Sequence, residues 1–239
     1  MTTRTALIIG GTSGVGLAAA RQLHARGITV HVAGRSQERL AALADTDPDL
    51  LVHQVDATEG DAVRTLAASV ALIDHLIITL SGSGGTGLLA DLDLADLRTA
   101  FDEKFWAHVT AIQAAAPHLA ADGSITVVGA VTARTGMPGT AGIAAVNGAV
   151  EALVKPLAAE LAPIRVNGVS PGFIDTPWWS GMPDDAREQF FQDAARALPV
   201  GTIADADQVA EVVVLAATNR NTTGTIIETD GGAQLVSIS

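Results

Sequence analysis

Short apolar runs alternate with longer stretches of helical spacing along the whole chain. The runs Thr5–Ile9, Thr29–Ala33, Leu51–Val55, His75–Thr79, Ser124–Val128, Ile164–Val169 and Thr225–Glu228 are brief, aliphatic or β-branched, and bounded by turn residues. That pattern predicts strands. Helical periodicity predicts helices over Val15–Arg26, Gln37–Ala44, Thr58–Val70, Asp96–Leu119, Gly142–Leu161, Asp184–Arg196 and Asp205–Ala217. In the first of these, Val15, Ala18, Ala19, Gln22 and Leu23 share one side and Gly27 is the stop signal. Thr58 is expected to cap its helix. Pro117 is expected to end the regular part of one long helix, and Pro156 to kink or break another.

Seven apolar strands separated by helices predict an α/β fold with a parallel sheet covered on both faces. Crossovers in such sheets are right-handed, which leaves the doubly wound, Rossmann-type arrangement as the expected topology. No linker, repeat or low-complexity tract divides the chain, so residues 1–239 read as a single domain. The glycine-rich stretch Ser81–Gly87 follows a strand directly and is expected to be a loop at the carboxyl edge of the sheet, where such folds bind ligands.

Composition narrows the chemistry. The chain of 239 residues is 48% hydrophobic, which excludes wholesale disorder, and its net charge of −12 argues against nucleic acid as a partner. It has no cysteine, so disulfides, thiol nucleophiles and cysteine metal sites are excluded. It has no tyrosine either, so no phenol can serve as proton donor. The six histidines show no metal-ligand spacing, and no metal is expected. No uninterrupted run approaches the ~18 apolar residues of a membrane helix. The apolar stretch after Met1–Thr5 is too short for a signal peptide, and Leu235–Ser239 carries no lipidation signal. No membrane partner and a cytoplasmic location are therefore expected.

The segment Ile9-Gly10-Gly-Thr12-Ser13-Gly14-Val15-Gly16 joins the first predicted strand to the first predicted helix. Gly10 permits a tight turn, Gly14 a close backbone approach to a pyrophosphate, and Gly16 close packing of helix on strand. The helix N-terminus behind them offers free N–H groups and a positive dipole to phosphate. Thr12, Ser13 and Val15 fall inside the same candidate site. After the second strand, Gly34-Arg35-Ser36 lacks the acid that would bind the ribose hydroxyls of NAD. Arg35 and Ser36 suit a 2′-phosphate instead, which favours NADP(H).

The Gly-x-x-x-Gly-x-Gly spacing resembles that of the short-chain dehydrogenase/reductase family, and further matches run to the end of the chain. Asp56, with Ala57 beside it, resembles the family's adenine-contacting aspartate. The segment Arg165–Pro177 looks like its sixth strand and nicotinamide loop, and Asp230-Gly231-Gly232 like its C-terminal signature. The resemblance implies that Pro171, Gly172, Ile174 and Thr176 line the nicotinamide, with Ile174 and Thr176 on its carboxamide. It implies a substrate lid over about residues 175–200, carrying Trp178 and Trp179, and assembly as a homodimer or homotetramer. The long predicted helices Asp96–Leu119 and Gly142–Leu161, apolar on more than one face, agree with assembly.

The catalytic positions of the resemblance depart from the family. The family's Asn-Asn-Ala-Gly reads Thr79-Leu80-Ser81-Gly82, Lys104 stands for its Asn, Ala130 for its Ser, Ile143 for its Tyr and Asn147 for its Lys. The 13-residue interval from Ala130 to Ile143 matches the family's serine-to-tyrosine interval, so the alignment is secure. Lysine and asparagine have exchanged places between two helices that face one site. Lys104 is thus the expected ammonium beside the nicotinamide ribose, and Asn147 its orienting partner. His108, one turn beyond Lys104, is expected in the core, and Thr132 and Arg134 in solvent. The expected function is NADP(H)-dependent reduction of a small carbonyl or imine-like substrate without a tyrosine acid. The alternatives are a non-catalytic NADP-binding or sensing protein, and a non-redox cyclase or isomerase on the same fold.

Overall fold

A computed structural model describes residues 3–70 and 72–236 of the chain. The terminal readings above therefore lie partly outside the described residues, at 1–2 and 237–239. The strands β1 (Thr5–Ile9), β2 (Thr29–Gly34), β3 (Leu51–Gln54), β4 (Ile73–Ile78), β5 (Leu119–Val128), β6 (Arg165–Pro171) and β7 (Ile226–Thr229) form one sheet. All pairings are parallel, in the order β3-β2-β1-β4-β5-β6-β7. The strand order reverses between β1 and β4, and this switch point opens a crevice at the carboxyl edge.

The helices are α1 (Gly14–Ala25), α2 (Gln37–Thr46), α3 (Gly60–Val70), α4 (Leu94–Ala100), α5 (Ala107–Ala115), α6 (Ala141–Ala152), α7 (Val154–Glu160), α8 (Asp184–Ala197) and α9 (Ala206–Thr218). Strand side chains alternate in direction, so β1 feeds two cores at once. Leu7 and Ile9 join Leu76, Ile125, Val63, Ala111 and Val150 on one face. Ala6 and Ile8 join Val30, Ile77, Leu23, Val209 and Val213 on the other. Each fully buried Leu, Ile or Val contributes about 1.5–3 kcal/mol. These two layers place α1 and α9 on one side of the sheet and α3, α5 and α6 on the other.

Several predicted elements change form. The expected helix Asp96–Leu119 is α4, a π-helical turn over Phe101–Trp106, α5 and a 3-10 turn over Ala116–His118. The apolar spacing of this stretch reads as one continuous helix and does not reveal the π turn. The last helical turn does lie at Pro117, but Leu119 already begins β5, five residues before the predicted strand. The break in Gly142–Leu161 falls at Leu153, between α6 and α7, rather than at Pro156. Proline 156 has no N–H to offer the Ala152 carbonyl, and its ring crowds that group, so the distortion appears one turn earlier. Thr58 does not cap α3: its hydroxyl donates to Asp56 Oδ1 at 2.7 Å, and α3 begins at Gly60. The stretch Ala141–Glu160 is, among the described residues, long and apolar enough by length and composition to cross a membrane, although Asn147, Glu151 and Lys155 interrupt its apolar run.

Polar groups tie the amino ends of the strands to α9. Ser124 Oγ donates to the Ala217 carbonyl at 2.9 Å, so its lone pair receives the Nδ1 hydrogen of buried His75, also at 2.9 Å. Arg165 Nη1 donates to the carbonyls of Asn219, at 2.8 Å, and Ala216, at 3.2 Å. These carbonyls belong to the last turn and exit of α9 and would otherwise lack partners.

Candidate active site

Residues at or just past the carboxyl ends of the strands line the crevice. The turn after β1 is laid tightly on the end of β4. Gly10 has φ +90° and a Cβ there would stand 2.9 Å from Thr79 Oγ1; a Cβ on Gly16 would stand 2.5 Å from the same oxygen. Thr79 Oγ1 donates to the Gly10 carbonyl at 3.0 Å, which locks the turn. Thr79 thus has a part that the motif comparison alone did not assign. Ser13 precedes α1 but makes no side-chain cap bond, and the first turn of α1 carries no acid. An uncapped helix start behind a glycine cradle fits the pyrophosphate of a dinucleotide. Thr176 leans on Gly14, its Cγ2 3.3 Å from where a Cβ would be. Gly172, past Pro171, passes so close to the Asp230 backbone that a Cβ would meet its carbonyl oxygen at 2.7 Å. Asp230 in turn accepts from the N–H groups of Gly232 and Gln234.

At the end of β2, a Cβ on Gly34 would meet Thr12 Cγ2 at 2.6 Å, so this position has little room for an acid. Arg35 is exposed, and its Nη1 lies 3.9 Å from Glu103 Oε1. Ser36 caps α2, its hydroxyl accepting from Arg39 N–H. Asp56 accepts from Thr58 N–H and Oγ; those bonds and the charge of Arg35 hold its carboxyl low against the opposing effect of burial, the largest of the influences. Ala57 is buried beside it. Ser81 and Gly82 open the loop after β4. Its next residues clasp the start of α6: Ile143 N–H donates to the Gly85 carbonyl at 2.8 Å, and Gly87 N–H to that of Gly139 at 2.8 Å. Asp96 on α4 holds Gly85 from the other side at 2.8 Å.

Lys104 sits in the π turn with only 7% of its surface exposed. Its Nζ donates to the Gly129 carbonyl at 3.4 Å. Burial lowers its pKa from 10.5 to about 8, and the charge of Glu151 opposes that drop. Asn147 is buried too, donating from Nδ2 to Thr132 Oγ1 at 2.9 Å and to the Ile143 carbonyl at 3.0 Å. The structure brings these two helices together, yet the polar contacts of Lys104 and Asn147 run to Gly129, Thr132 and Ile143 rather than to each other. Ala130 follows Gly129 at the end of β5, and Ile143 and Asn147 lie one turn apart on α6.

Glu151 was not singled out from the sequence, although Ile143, Asn147 and Glu151 follow each other at i+4 on one helix face. Glu151 Oε2 binds Arg134 at 2.6 Å, and Arg134 also binds Glu228 at 2.9 Å. Arg134, though exposed in its loop as expected, and half-buried Thr132 are both bonded to α6 rather than merely solvated. Glu151 Oε1 and Asn147 Oδ1 are buried without a protein partner among the described residues. His108 is fully buried; its Nδ1 donates to the Lys104 carbonyl at 2.7 Å, and burial pushes its pKa down to about 3. It is a core residue that steadies the π turn, as expected.

The segment expected to form a lid, at about 175–200, contains a 3-10 turn over Pro177–Gly181 followed by α8. Trp179 packs against Phe190 and Phe191, with ring centroids 5.0 and 5.5 Å away. Trp178 is half-exposed, and its Nε1 reaches the Gly82 carbonyl at 3.5 Å. Among the described residues no three His, Asp or Glu side chains cluster in a way that would hold a metal.

Comparison with known proteins agrees with this architecture. The family profile described as Enoyl-(Acyl carrier protein) reductase matches residues 10–234. Cis-4-hydroxycyclohexanecarboxylate dehydrogenase of Sinomonas cyclohexanicum is 31% identical, the match covering 96% of each chain. A solved small-chain dehydrogenase in complex with NADPH is 35% identical with a TM-score of 0.87, covering 98% of this chain and 100% of its own. The MalC Reductase/Diels-Alderase of Malbranchea aurantiaca has a TM-score of 0.88 at 26% identity, covering 98% of this chain and 97% of its own. The chain belongs to the short-chain dehydrogenase/reductase family.

Proposed function

We propose that this protein is an NADP(H)-dependent oxidoreductase that reduces a small carbonyl or imine-like substrate with a lysine-centred site in place of a tyrosine. The observation that carries this reading is the buried Lys104, set at the end of a complete dinucleotide cradle. Gly10, Thr12, Ser13, Gly14, Val15 and Gly16 would hold the pyrophosphate, Arg35 and Ser36 the 2′-phosphate, and Asp56 and Ala57 the adenine. Ile174 and Thr176 would meet the carboxamide. The similarity to a dehydrogenase solved with NADPH supports the choice of cofactor.

When bound, NADPH supplies a hydride. A carbonyl oxygen that becomes an alkoxide then needs one proton, and this chain has no phenol to give it. Lys104, at about 8, holds a proton at neutral pH and releases it far more readily than an ordinary lysine. It also places a positive charge where oxyanion charge develops. Glu151 keeps the ammonium from being lost altogether, because its charge favours the protonated form. An iminium substrate needs no proton at all and would require only positioning.

A second reading is supported by the likeness to a protein whose name joins a reductase to a Diels-Alderase. Here the same pocket would promote cyclisation or isomerisation without net redox change. NADPH absorbance, followed with a panel of ketones, aldehydes and cyclic iminium ions, separates the two. NADPH consumption matched to product supports the first reading, while product without NADPH consumption supports the second.

We also propose assembly into a homodimer or homotetramer. The outward faces of α4–α5 and α6–α7 remain open, with Leu94 and Trp106 exposed on the first pair.

A further inference from the structure

Arg35, the residue expected to recognise a 2′-phosphate, already has an anion facing it. Glu103 Oε1 lies 3.9 Å from its Nη1. Glu103 is not a loosely exposed carboxylate that happens to drift past. Its Oε2 accepts from both Ser83 N–H, at 2.9 Å, and Ser83 Oγ, at 2.7 Å, and its side chain is only 22% exposed. The backbone of Arg35 is also anchored, its carbonyl accepting from Gln54 at 3.3 Å. The end of β2 cannot easily supply this acid itself, because Thr12 fills the space beside Gly34. The π turn supplies it instead, from the residue just before Lys104.

We propose that Glu103 is a specificity-determining residue of the cofactor site: it is the built-in counter-ion of Arg35 and restrains the preference for NADP(H) over NAD(H). The proposal rests on the reading that Arg35 meets the 2′-phosphate. A 2′-phosphate must draw Arg35 away from Glu103, which Ser83 holds in place. NAD(H), with no phosphate there, does not have to break that pair. The restraint is electrostatic, so it disappears when the charge is removed but the shape is kept.

Glu103→Gln does this, since its amide oxygen can still accept from Ser83. The experiment titrates NADPH and NADH into wild type, Glu103→Gln, Arg35→Ala and the double variant, by calorimetry at low and at physiological ionic strength. Glu103→Gln is expected to tighten NADPH roughly threefold to tenfold, the effect of one fixed charge on a doubly charged group near the surface, and to leave NADH within about twofold. The gain should shrink at higher salt and vanish in the Arg35→Ala background. A gain equal for both cofactors, no gain, or a gain that survives Arg35→Ala would overturn the role of Glu103. If Arg35→Ala alone left NADPH affinity unchanged, the Arg35 site itself would fall, and the proposal with it. A normal loss in Arg35→Ala without a selective gain in Glu103→Gln would remove only the proposal.

Discussion

Lys104 and Glu151 meet at one glycine. The Lys104 ammonium donates to the Gly129 carbonyl, while Glu151 Oε1 lies 3.1 Å from where a Gly129 Cβ would stand. A side chain at 129 would make Glu151 shift by a few tenths of an ångström. The glycine thus lets a carboxylate approach a buried ammonium from a different helix, and Arg134 and Glu228 extend the charges outward.

A buried ammonium is costly unless partner charges and hydrogen bonds compensate it. The shift of Lys104 from 10.5 to about 8 corresponds to a penalty on the order of 3 kcal/mol while the group is charged. Because the folded pKa lies below the unfolded one, the unfolded chain binds more protons between pH 8 and 10.5, and stability rises with pH across that window. Lys104→Met is therefore expected to raise the melting temperature by several degrees at pH 7 and to gain progressively less as pH rises through 8 toward 10.5. Its turnover should fall by orders of magnitude. Thermal melts over that pH range and NADPH turnover check both parts.

The glycine cradle gives a sharper binding expectation. A Cβ at residue 16 meets Thr79 Oγ1 at 2.5 Å and the Gly10 carbonyl at 2.6 Å. Gly16→Ala should weaken dinucleotide binding at least about tenfold, as the turn is pushed off β4. Titration of NADPH against the variant, with circular dichroism to verify that the fold persists, is the measurement.

The fold was largely legible because each strand and helix carries its own apolar period, and because Gly10, Gly14 and Gly16 fall where a strand turns into a helix. The charge arrangement at the site was not. Glu103 meets Ser83 and Arg35 while its neighbour Lys104 is buried. Those partners come from loops distant in sequence, and no apolar pattern encodes the pairing. Arg134 read as merely solvated because its two partners, Glu151 and Glu228, come from α6 and β7, distant in sequence. Pro156 was visible, but its effect is felt at the carbonyl four residues before it.

His75 should control stability in mild acid. Burial lowers its pKa from 6.5 to about 4, and its Nδ1–H is committed to Ser124. A depressed folded pKa gives stability that is complete above 6.5 and is lost as pH falls toward 4. His75→Asn, which keeps an N–H donor but does not titrate, should flatten the pH dependence of urea midpoints between 4 and 6.5. The remaining slope in that range should have the same sign, since His108 is lowered as well.

Trp178 and Trp179, in the segment expected to form a lid, should separate function from stability. Trp179 donates from Nε1 to the Ile174 carbonyl at 3.0 Å and packs on two phenylalanines, so Trp179→Ala should lower the melting temperature by several degrees. Trp178 is half-exposed and bridges to Gly82. Trp178→Ala should leave melting within about a degree and raise KM for apolar substrates severalfold. Steady-state kinetics beside thermal melts tests the contrast.

Light scattering at micromolar concentration should give the mass of a dimer or tetramer. A monomer would leave the open faces of α4–α5 and α6–α7 without a role in assembly.

The contact of α9 with α1 places a demand on synthesis. The apolar side of α1, with Ala19 and Leu23, is covered by Val209, Val213 and Ala217, which leave the ribosome nearly two hundred residues later. At about 5–20 residues per second, that interval lasts roughly ten seconds or more. Throughout it the nascent chain carries an uncovered greasy helix next to an unfinished parallel sheet. The phosphate cradle therefore cannot acquire its final support until the last helix has emerged, and truncated chains ending before α9 should be clients for chaperones rather than weak binders of the cofactor.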